Sequence, residues 1–188
     1  MSEESQVKTD ELDAQIEARR RLALAQIRQY PNPMLRLKAQ EIEAFDDDLR
    51  QLVERMTRLM QDARGVGLAA NQVGVLRRVF VVQSDDEEEP RALVNPSIVE
   101  RSDESDVDDE GCLSMQGVVV AVERPLRVRI EASDEEGNPV SLELEGLRAR
   151  VAQHELDHLD GVLILDRTTR EQRRDAVRSL REREQSAA

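Results

Sequence analysis

The sequence predicts one domain that mixes helices with short β-strands. Two strongly patterned helices flank a run of short strand candidates, and two of these candidates form a predicted hairpin. The chain has 188 residues, of which 39% are hydrophobic, so we expect a single compact core. We divide it into an acidic N-terminal extension (residues 1–24), a central domain (residues 25–165) and an Arg-rich C-terminal helix or tail (residues 166–188).

The first strong helix is predicted to begin after Asp46. The Asp46 side chain is placed as the N-cap, and apolar residues then recur at helical spacing, which is typical of a helix that packs on a core. These apolar residues are Leu49, Leu52, Val53, Met56, Leu59, Met60 and Ala63. Gly65 lies just beyond them and is the expected C-cap.

Short β-strands are predicted in the middle of the chain, at residues 79–82, 92–94, 98–99, 118–122, 126–132 and 140–144. Turn-forming residues 134–138 join the last two strands as a hairpin. Acidic runs at residues 85–89 and 103–110 lie between strand candidates. We interpret both runs as solvated loops rather than as partner sites.

The second strong helix is predicted at residues 146–159, with Gly161 as its stop. Four residues share one face of this helix at the helical repeat, namely Leu147, Val151, His154 and His158. Four polar residues are predicted to lie off that face: Arg148, Arg150, Gln153 and Asp157.

His154, Glu155 and His158 form an H-E-x-x-H motif on this helix. Residues four apart lie one turn apart on the same face, so both imidazoles can reach one metal ion. Glu155 lies beside them, where it can accept a proton from a metal-bound water. A metal site that keeps one position open for water needs a third protein ligand, and the chain has no third His. A carboxylate or Cys112 remains for the third position. A nucleophilic Cys–His pair is an alternative to metal binding, but it would leave Glu155 without a role.

Cys112 is the only cysteine, which excludes an intramolecular disulfide, and a thiolate is a good ligand for iron or zinc. It lies in the segment D-E-G-C-L-S, in a predicted loop between strands. A third segment, G-V-G-L-A-A-N-Q at residues 65–72, is glycine-rich but lacks the Gly-Lys-Ser/Thr ending of a phosphate loop. Its glycines indicate close approach of the backbone to a ligand, and Gln72 offers an uncharged amide donor.

The three segments together resemble the signature motifs of the peptide deformylase family, roughly G-x-G-x-A-A-x-Q, E-G-C-L-S and H-E-x-D-H. They occur in the family's order, at residues 65–72, 110–114 and 154–158. The resemblance covers about residues 25–170 and includes an I-x-x-Y-P-x-P-x-L-like opening that begins at Ile27. It implies an α+β fold in which antiparallel strands surround a central helix carrying the H-E-x-x-H motif, with a C-terminal helix. It also implies that the central domain removes the formyl group from the N-terminal formylmethionine of nascent polypeptides and releases formate.

The resemblance also implies roles for individual residues. Three residues would hold the metal: Cys112, His154 and His158. This metal is Fe(II) by resemblance, with zinc, nickel or cobalt as substitutes. Glu155 would activate the metal-bound water. The Gln72 side-chain amide and the Leu113 backbone N–H would stabilise charge on the carbonyl oxygen.

The same resemblance places the substrate in an apolar pocket and along glycine-bearing backbone, formed by Val66, Gly67, Gly111, Leu113, Leu147 and Val151. Glu110 and Arg124 would form an ion pair that braces the Cys112 loop. Two positions depart from the family pattern. Gln116 stands where many relatives have proline, and Arg150 stands where an apolar pocket residue is usual. Neither departure removes a catalytic atom, so we expect them to affect substrate preference.

Composition narrows the expected partners. A net charge of −13 and three aromatic rings disfavour binding of DNA or RNA phosphates and stacking on bases. No stretch approaches the ~20 apolar residues of a membrane helix, and the N-terminus does not look like a secretory signal. We therefore expect a cytoplasmic protein that binds no DNA or membrane and acts on N-formylmethionyl nascent peptides. Bacterial relatives use a C-terminal helix at the ribosome, so the tail is a candidate ribosome contact, although its net positive charge is small.

Two other functions compete with this interpretation. A zincin-like metalloprotease would share the H-E-x-x-H motif but would take its third ligand downstream, from Asp160, Asp166 or Glu171. A non-enzymatic relative could survive as a ribosome-associated binding module, but the intact Glu155 and Gln72 argue against loss of catalysis.

Overall fold

The computed structural model describes residues 3–83 and 89–187. In these ranges the α-helices are α1 (Glu3–Gln26), α2 (Asp47–Asp62), α3 (Gly146–Leu159), α4 (Ile164–Arg167) and α5 (Arg170–Ala187). The strands are β1 (Gly67–Ala69), β2 (Val79–Val82), β3 (Arg91–Arg101), β4 (Ser105–Gly111), β5 (Val119–Pro125), β6 (Arg127–Ser133) and β7 (Pro139–Glu145). Two short 3-10 turns lie at Pro33–Arg36 and Ala70–Val73.

The strands form two antiparallel sheets around α3. Five strands pair in the order β1-β2-β3-β6-β7, while β4 and β5 pair with each other as a separate ribbon. The α3 helix packs against strands of both sheets, including β1, β2 and β5. The predicted α+β fold, with antiparallel strands around a central helix, is therefore confirmed. Within the described residues, no helix is both long enough and apolar enough to cross a bilayer.

The α2 helix begins where the sequence predicts and ends at Asp62, one residue before the last residue of the predicted apolar pattern. The Asp46 side chain accepts a hydrogen bond from the Leu49 N–H at 3.0 Å, as expected of an N-cap. Past the end of the helix, Arg64 rather than Gly65 adopts the left-handed conformation, with φ at 58°. The Arg64 N–H donates to the Gln61 carbonyl and the Gly65 N–H to the Met60 carbonyl, which is a Schellman motif.

Most predicted strands are present, but the acidic run at residues 103–110 is not the loop that the sequence suggested. From Ser105 onward it is strand β4, which pairs with β5 along its whole length. The β4 side chains are exposed except for Glu110, so the strand needs no apolar face and gives no hydrophobic pattern. Most of the run at residues 85–89 lies outside the described residues. The predicted strands at 92–94 and 98–99 are one strand, β3.

The α3 helix has the predicted bounds, but the predicted stripe is not its most buried face, since Leu147 is exposed and Val151 and His154 are partly exposed at the cleft described below. Arg150, Gln153 and Asp157 were expected off the buried face, and the structure buries all three. Each finds a polar partner there: Arg150 bonds Glu110, Gln153 bonds the Pro125 carbonyl and Asp157 bonds Arg124. Buried polar groups need hydrogen-bond partners, so these three residues are buried together with theirs.

The N-terminal helix α1 and the C-terminal helix α5 both pack against the rest of the domain. At the end of α1, Ala23 is buried in the core that surrounds α2. On α5, Ala176 is buried and Val177 is partly buried against the β4–β5 ribbon. The expected C-terminal helix is therefore present, and one face of it is covered rather than solvated.

Candidate active site

The only cysteine and both histidines converge on one point. Cys112 follows strand β4, while His154 and His158 lie one turn apart on α3. One donor atom from each of the three side chains lies within 4.8 Å of the other two, and Cys112 Sγ is 3.2 Å from His158 Nε2. No other group of three such ligands occurs in residues 3–83 and 89–187.

The donor set fits a divalent transition metal. One sulfur and two imidazole nitrogens suit zinc or iron. The Nδ1 atom of His154 is 3.0 Å from Glu110 Oε2, which leaves Nε2 of that ring as the nitrogen available to an ion. Burial lowers the pKa of His158 well below its usual value, so this ring is neutral. Burial also opposes a proton on His154, but hydrogen bonds to Cys112 and Glu110 outweigh it and raise its pKa. A metal cation binds the same nitrogen lone pairs that a proton would occupy. The two histidines, together with Cys112, therefore fit a metal ion.

Glu155 is a buried carboxylate with an unused oxygen. Only 3% of the residue is exposed, and Oε2 has no hydrogen-bond partner among the described residues. Burial raises the pKa of Glu155 to about 7. An unpaired buried oxygen is costly to stability, so such a group next to a ligand set indicates a functional site.

Gln72 presents its amide nitrogen to the same place. Its Oε1 accepts the Ala69 N–H at 2.8 Å, which orients the side chain. Its Nε2 donates to Ser114 Oγ at 3.1 Å and lies 3.7 Å from Cys112 Sγ. The neighbouring Asn71 donates to the His158 carbonyl and so ties this turn to α3.

Glu110 is held by cations from two elements behind the ligands. Arg124 donates to both of its oxygens at 2.7 and 2.9 Å, and Arg150 donates to Oε1 at 2.9 Å. Although burial opposes ionisation, Arg124 and His154 hold the pKa of Glu110 well below its usual range. Arg124 also donates to Asp157 at 2.7 Å, so the charges form a connected buried network.

Arg150 is the member of this network that helical periodicity misplaced, whereas the family resemblance put it at a pocket position, and it does line the cleft. The apolar stripe of α3 put it off the buried face, but it lies four residues before His154 and therefore on the same side of the helix. That spacing was the signal available in the sequence. The Arg150 guanidinium also donates to the carbonyls of Val122 and Asp106.

A cleft of about 380 Å³ opens in front of the ligands. It is lined by most of the predicted site residues, namely Val66, Gly67, Gln72, Glu110, Gly111, Cys112, Leu113, Leu147, Val151, His154 and Glu155. His158 and Arg124 are buried behind the cleft and do not line it. Val66 is 43% exposed and Leu147 is 59% exposed, so the cleft offers apolar side chains to a ligand. Sequence reasoning did not predict four further lining residues, namely Arg20, Leu24, Arg64 and Gly117.

Residues 24–174 match the sequence model of the polypeptide deformylase family. The chain belongs to this family. The peptide deformylase of Chromohalobacter salexigens is 47% identical to it over 146 residues, which is 77% of this chain and 86% of the relative. That of Acidothermus cellulolyticus is 46% identical over 163 residues, or 87% and 89% of the two chains. The crystal structure of a peptide deformylase from Legionella pneumophila matches with a TM-score of 0.81 and 38% identity, over 86% of this chain and 95% of that one. The resemblance drawn from the three motifs is therefore confirmed.

Proposed function

We propose that this chain is a metal-dependent hydrolase that removes the formyl group from the N-terminal formylmethionine of nascent polypeptides and releases formate. One observation carries the proposal. The only Cys and both His meet beside the unpartnered carboxylate of Glu155, in a cleft with apolar walls. Membership of the polypeptide deformylase family, whose members are metalloenzymes, supports the same reaction.

Three residues would hold the ion: Cys112, His154 and His158. A divalent ion there would supply a Lewis acid and lower the pKa of a water molecule. We propose Fe(II), with zinc, nickel or cobalt as substitutes, because a mixed sulfur and imidazole set accepts all of these metals.

Glu155 would move the protons of the reaction. Its free Oε2 would take a proton from the attacking water and later give it to the nitrogen that leaves the formyl carbon. Formate and a free methionyl amine are the products. Because the carboxylate is enclosed, its proton is not lost to bulk water between the two steps.

Two N–H donors would stabilise the charge that develops on the formyl oxygen. The Gln72 amide nitrogen lies 3.7 Å from Cys112 Sγ and thus beside the ligands. In the part of the chain that the structure describes, the Leu113 backbone N–H has no acceptor, so it is available to a substrate oxygen. Donors that are already oriented contribute strongly to catalysis of this type.

The substrate backbone would bind as an added strand. Strand β1 lies at the edge of its sheet, and Gly67 on β1 and Gly111 at the end of β4 both line the cleft. Main-chain pairing of this kind does not read later side chains, which suits an enzyme that acts on many nascent chains. Val66 and Leu147, with Leu113 and Val151, would enclose the methionine side chain.

Replacement of Gly67 by alanine is expected to lower kcat about tenfold to a hundredfold. The new Cβ would lie 2.3 Å from Glu155 Oε1, so the carboxylate would have to move, and small displacements of a reacting group are costly. Gly111→Ala is compared on kcat alone, because its Cβ would meet nothing closer than the Val118 carbonyl at 3.8 Å and an effect on substrate binding at this cleft residue would appear in KM. Steady-state formate release measures both variants. Equal losses in the two would contradict this account of Gly67.

Glu110, Arg124 and Arg150 would brace His154 and the Cys112 loop. We expect Arg150→Met to weaken metal binding about tenfold, because Glu110 loses a cation that fixes it against His154. Competition with a chelator measures this affinity. Arg129→Met is the control, since Arg129 pairs only with exposed acids on the sheet surface. An unchanged affinity in Arg150→Met would remove Arg150 from the support of the site.

The zincin-like alternative finds little support in the geometry. Asp160 is paired with Arg78 at 2.8 Å, Asp166 is paired with Arg36, and Glu171 is exposed on α5. None of these carboxylates belongs to the ligand group of the described residues.

We also propose that α5 contacts the ribosome and that the enzyme acts in the cytoplasm. The α5 surface carries a row of arginines along an open groove, which would suit ribosomal RNA phosphates: Arg170, Arg173, Arg174, Arg178 and Arg181. This proposal is separate from the chemistry of the cleft.

An anaerobic assay with a formyl-Met tripeptide tests the proposed reaction. We expect the iron- or nickel-loaded enzyme to release formate and leave the peptide bonds intact. An acetyl-Met tripeptide is the control, and we expect it to react far more slowly because the acetyl methyl group crowds the reacting carbon. Absence of formate with either metal, or cleavage within the peptide, would contradict the proposal.

A further inference from the structure

Helix α1 contributes to the cleft although most of it precedes the family match. The match begins at residue 24, whereas α1 spans Glu3–Gln26. Arg20 and Leu24 lie one helical turn apart on α1, and both line the cleft. Ala23 and Ile27 are buried in the core around α2, so this end of α1 is held in place by packing.

The Arg20 side chain has donors to spare. Its Nε is buried and has no hydrogen-bond partner among the described residues. Its Nη1 lies 3.5 Å from Oε1 of Glu17, which is 62% exposed, and a surface pair of this kind contributes little. An arginine with a buried and unused N–H at the wall of a ligand cleft indicates an acceptor that arrives with the ligand.

Arg64 adds a second cation to the same cleft. It is exposed and lines the cleft, and it has no acidic partner in the part of the chain that the structure describes. It also occupies a left-handed position, φ 58°, where glycine or asparagine is usual. A long cationic side chain is unusual at such a position at a helix end, which favours a functional role for Arg64.

The buried acids of the cleft are held by groups other than these two arginines. Glu110 is held by Arg124 and Arg150, and Glu155 is buried beside the metal ligands. Asp109, which lies on β4, is the one exposed acid among the described lining residues. Arg20 and Arg64 are therefore two cleft cations that no buried carboxylate holds, on a chain whose net charge is −13.

We propose that Arg20 and Arg64 bind a carboxylate of the substrate, downstream of the formylmethionine, and so give the enzyme a preference for acidic nascent peptides. The inference rests on the proposed deformylase function and adds a specificity determinant to it. A guanidinium binds a carboxylate through charge-assisted hydrogen bonds, and carboxylates are the anionic groups that an unmodified peptide carries. The overall negative charge of the chain would by itself repel an acidic peptide. A preference for acidic peptides would therefore be caused by the two arginines near the cleft.

The test uses C-terminally amidated formyl-Met peptides that carry Glu, Gln or Lys at the second, third or fourth position. At low ionic strength we expect wild-type kcat/KM to be about threefold higher for the best-placed Glu peptide than for its Gln counterpart, mainly through KM. The preference should fade at about 0.5 M salt. The free-acid form of the Gln peptides shows whether a terminal carboxylate is bound in the same way.

Two variants and one control assign the effect. Arg20→Gln and Arg64→Asn should each reduce the ratio of Glu to Gln peptide, and Asn is chosen because it tolerates the left-handed conformation of Arg64. Arg19→Gln, on the exposed side of α1, should leave the ratio unchanged. A wild-type ratio near one, or a ratio unaffected by both cleft variants, would overturn the proposal. Hydrolysis of the Gln peptides reports the deformylase function independently, so failure of one proposal is distinguishable from failure of the other.

Discussion

Glu155→Gln is expected to lower the rate of formate release by about 10²- to 10⁴-fold while metal content stays the same. The amide has nearly the size of the carboxylate, so the packing of this buried residue is preserved. What is lost is the oxygen that takes the proton of the attacking water and returns it to the leaving nitrogen. The three ligands are untouched, so an ion is still held.

The measurement is kcat for formate release, with metal content per chain determined on the same samples. Glu123→Gln is a suitable control, because Glu123 is an exposed acid on β5 that lies outside the cleft. A Glu155→Gln enzyme within about threefold of the wild type would show that another group moves the proton.

Cys112→Ala is expected to abolish both metal retention and activity. Cys112 would supply the only anionic ligand of the bound ion, and its removal leaves two imidazoles from one helix, which are too few for a stable site. The substitution also tests where the third ligand comes from. In a zincin-like enzyme a downstream carboxylate would keep the ion in place.

Asp160→Ala is the matched variant for that question. Asp160 follows the same helix as the histidines and is one of the downstream carboxylates that a zincin-like site could use, but it pairs with Arg78 at 2.8 Å. We expect it to retain a full complement of metal at a small cost in stability. The opposite pattern, metal lost in Asp160→Ala and kept in Cys112→Ala, would contradict the assigned ligand set.

Local sequence signals predicted the elements that pack on the core. The bounds of α3 and the Asp46 cap of α2 could be read from helical periodicity and capping chemistry, which act over a few residues. Strand β4 could not be predicted in this way. Its acidic side chains face solvent, and it exists because each of its residues pairs with β5, which is a contact between segments that no local pattern reports.

The candidate site also contains residues that the sequence could predict and residues that depend on contacts between distant segments. Cys112, His154 and His158 could be grouped because their chemistry is distinctive and the chain has no other residues of these types. Arg20 could not be assigned from the sequence, and Arg150 was tied to the pocket only through the family resemblance, because arginine is common in this chain and usually lies on the surface. Only the packing of α1 beside the cleft places Arg20 at its wall, and only the packing of α3 against the β4–β5 ribbon places Arg150 next to Glu110.

The central claim is that one metal ion, held by the sole cysteine and both histidines, carries the deformylation. Titration of metal-free enzyme with Ni(II), with formate release measured after each addition, tests it most directly. We predict that activity rises from zero and stops rising at one equivalent per chain, since one ligand group is present in the described residues. Activity without added metal, or a plateau only at two equivalents, would contradict the claim.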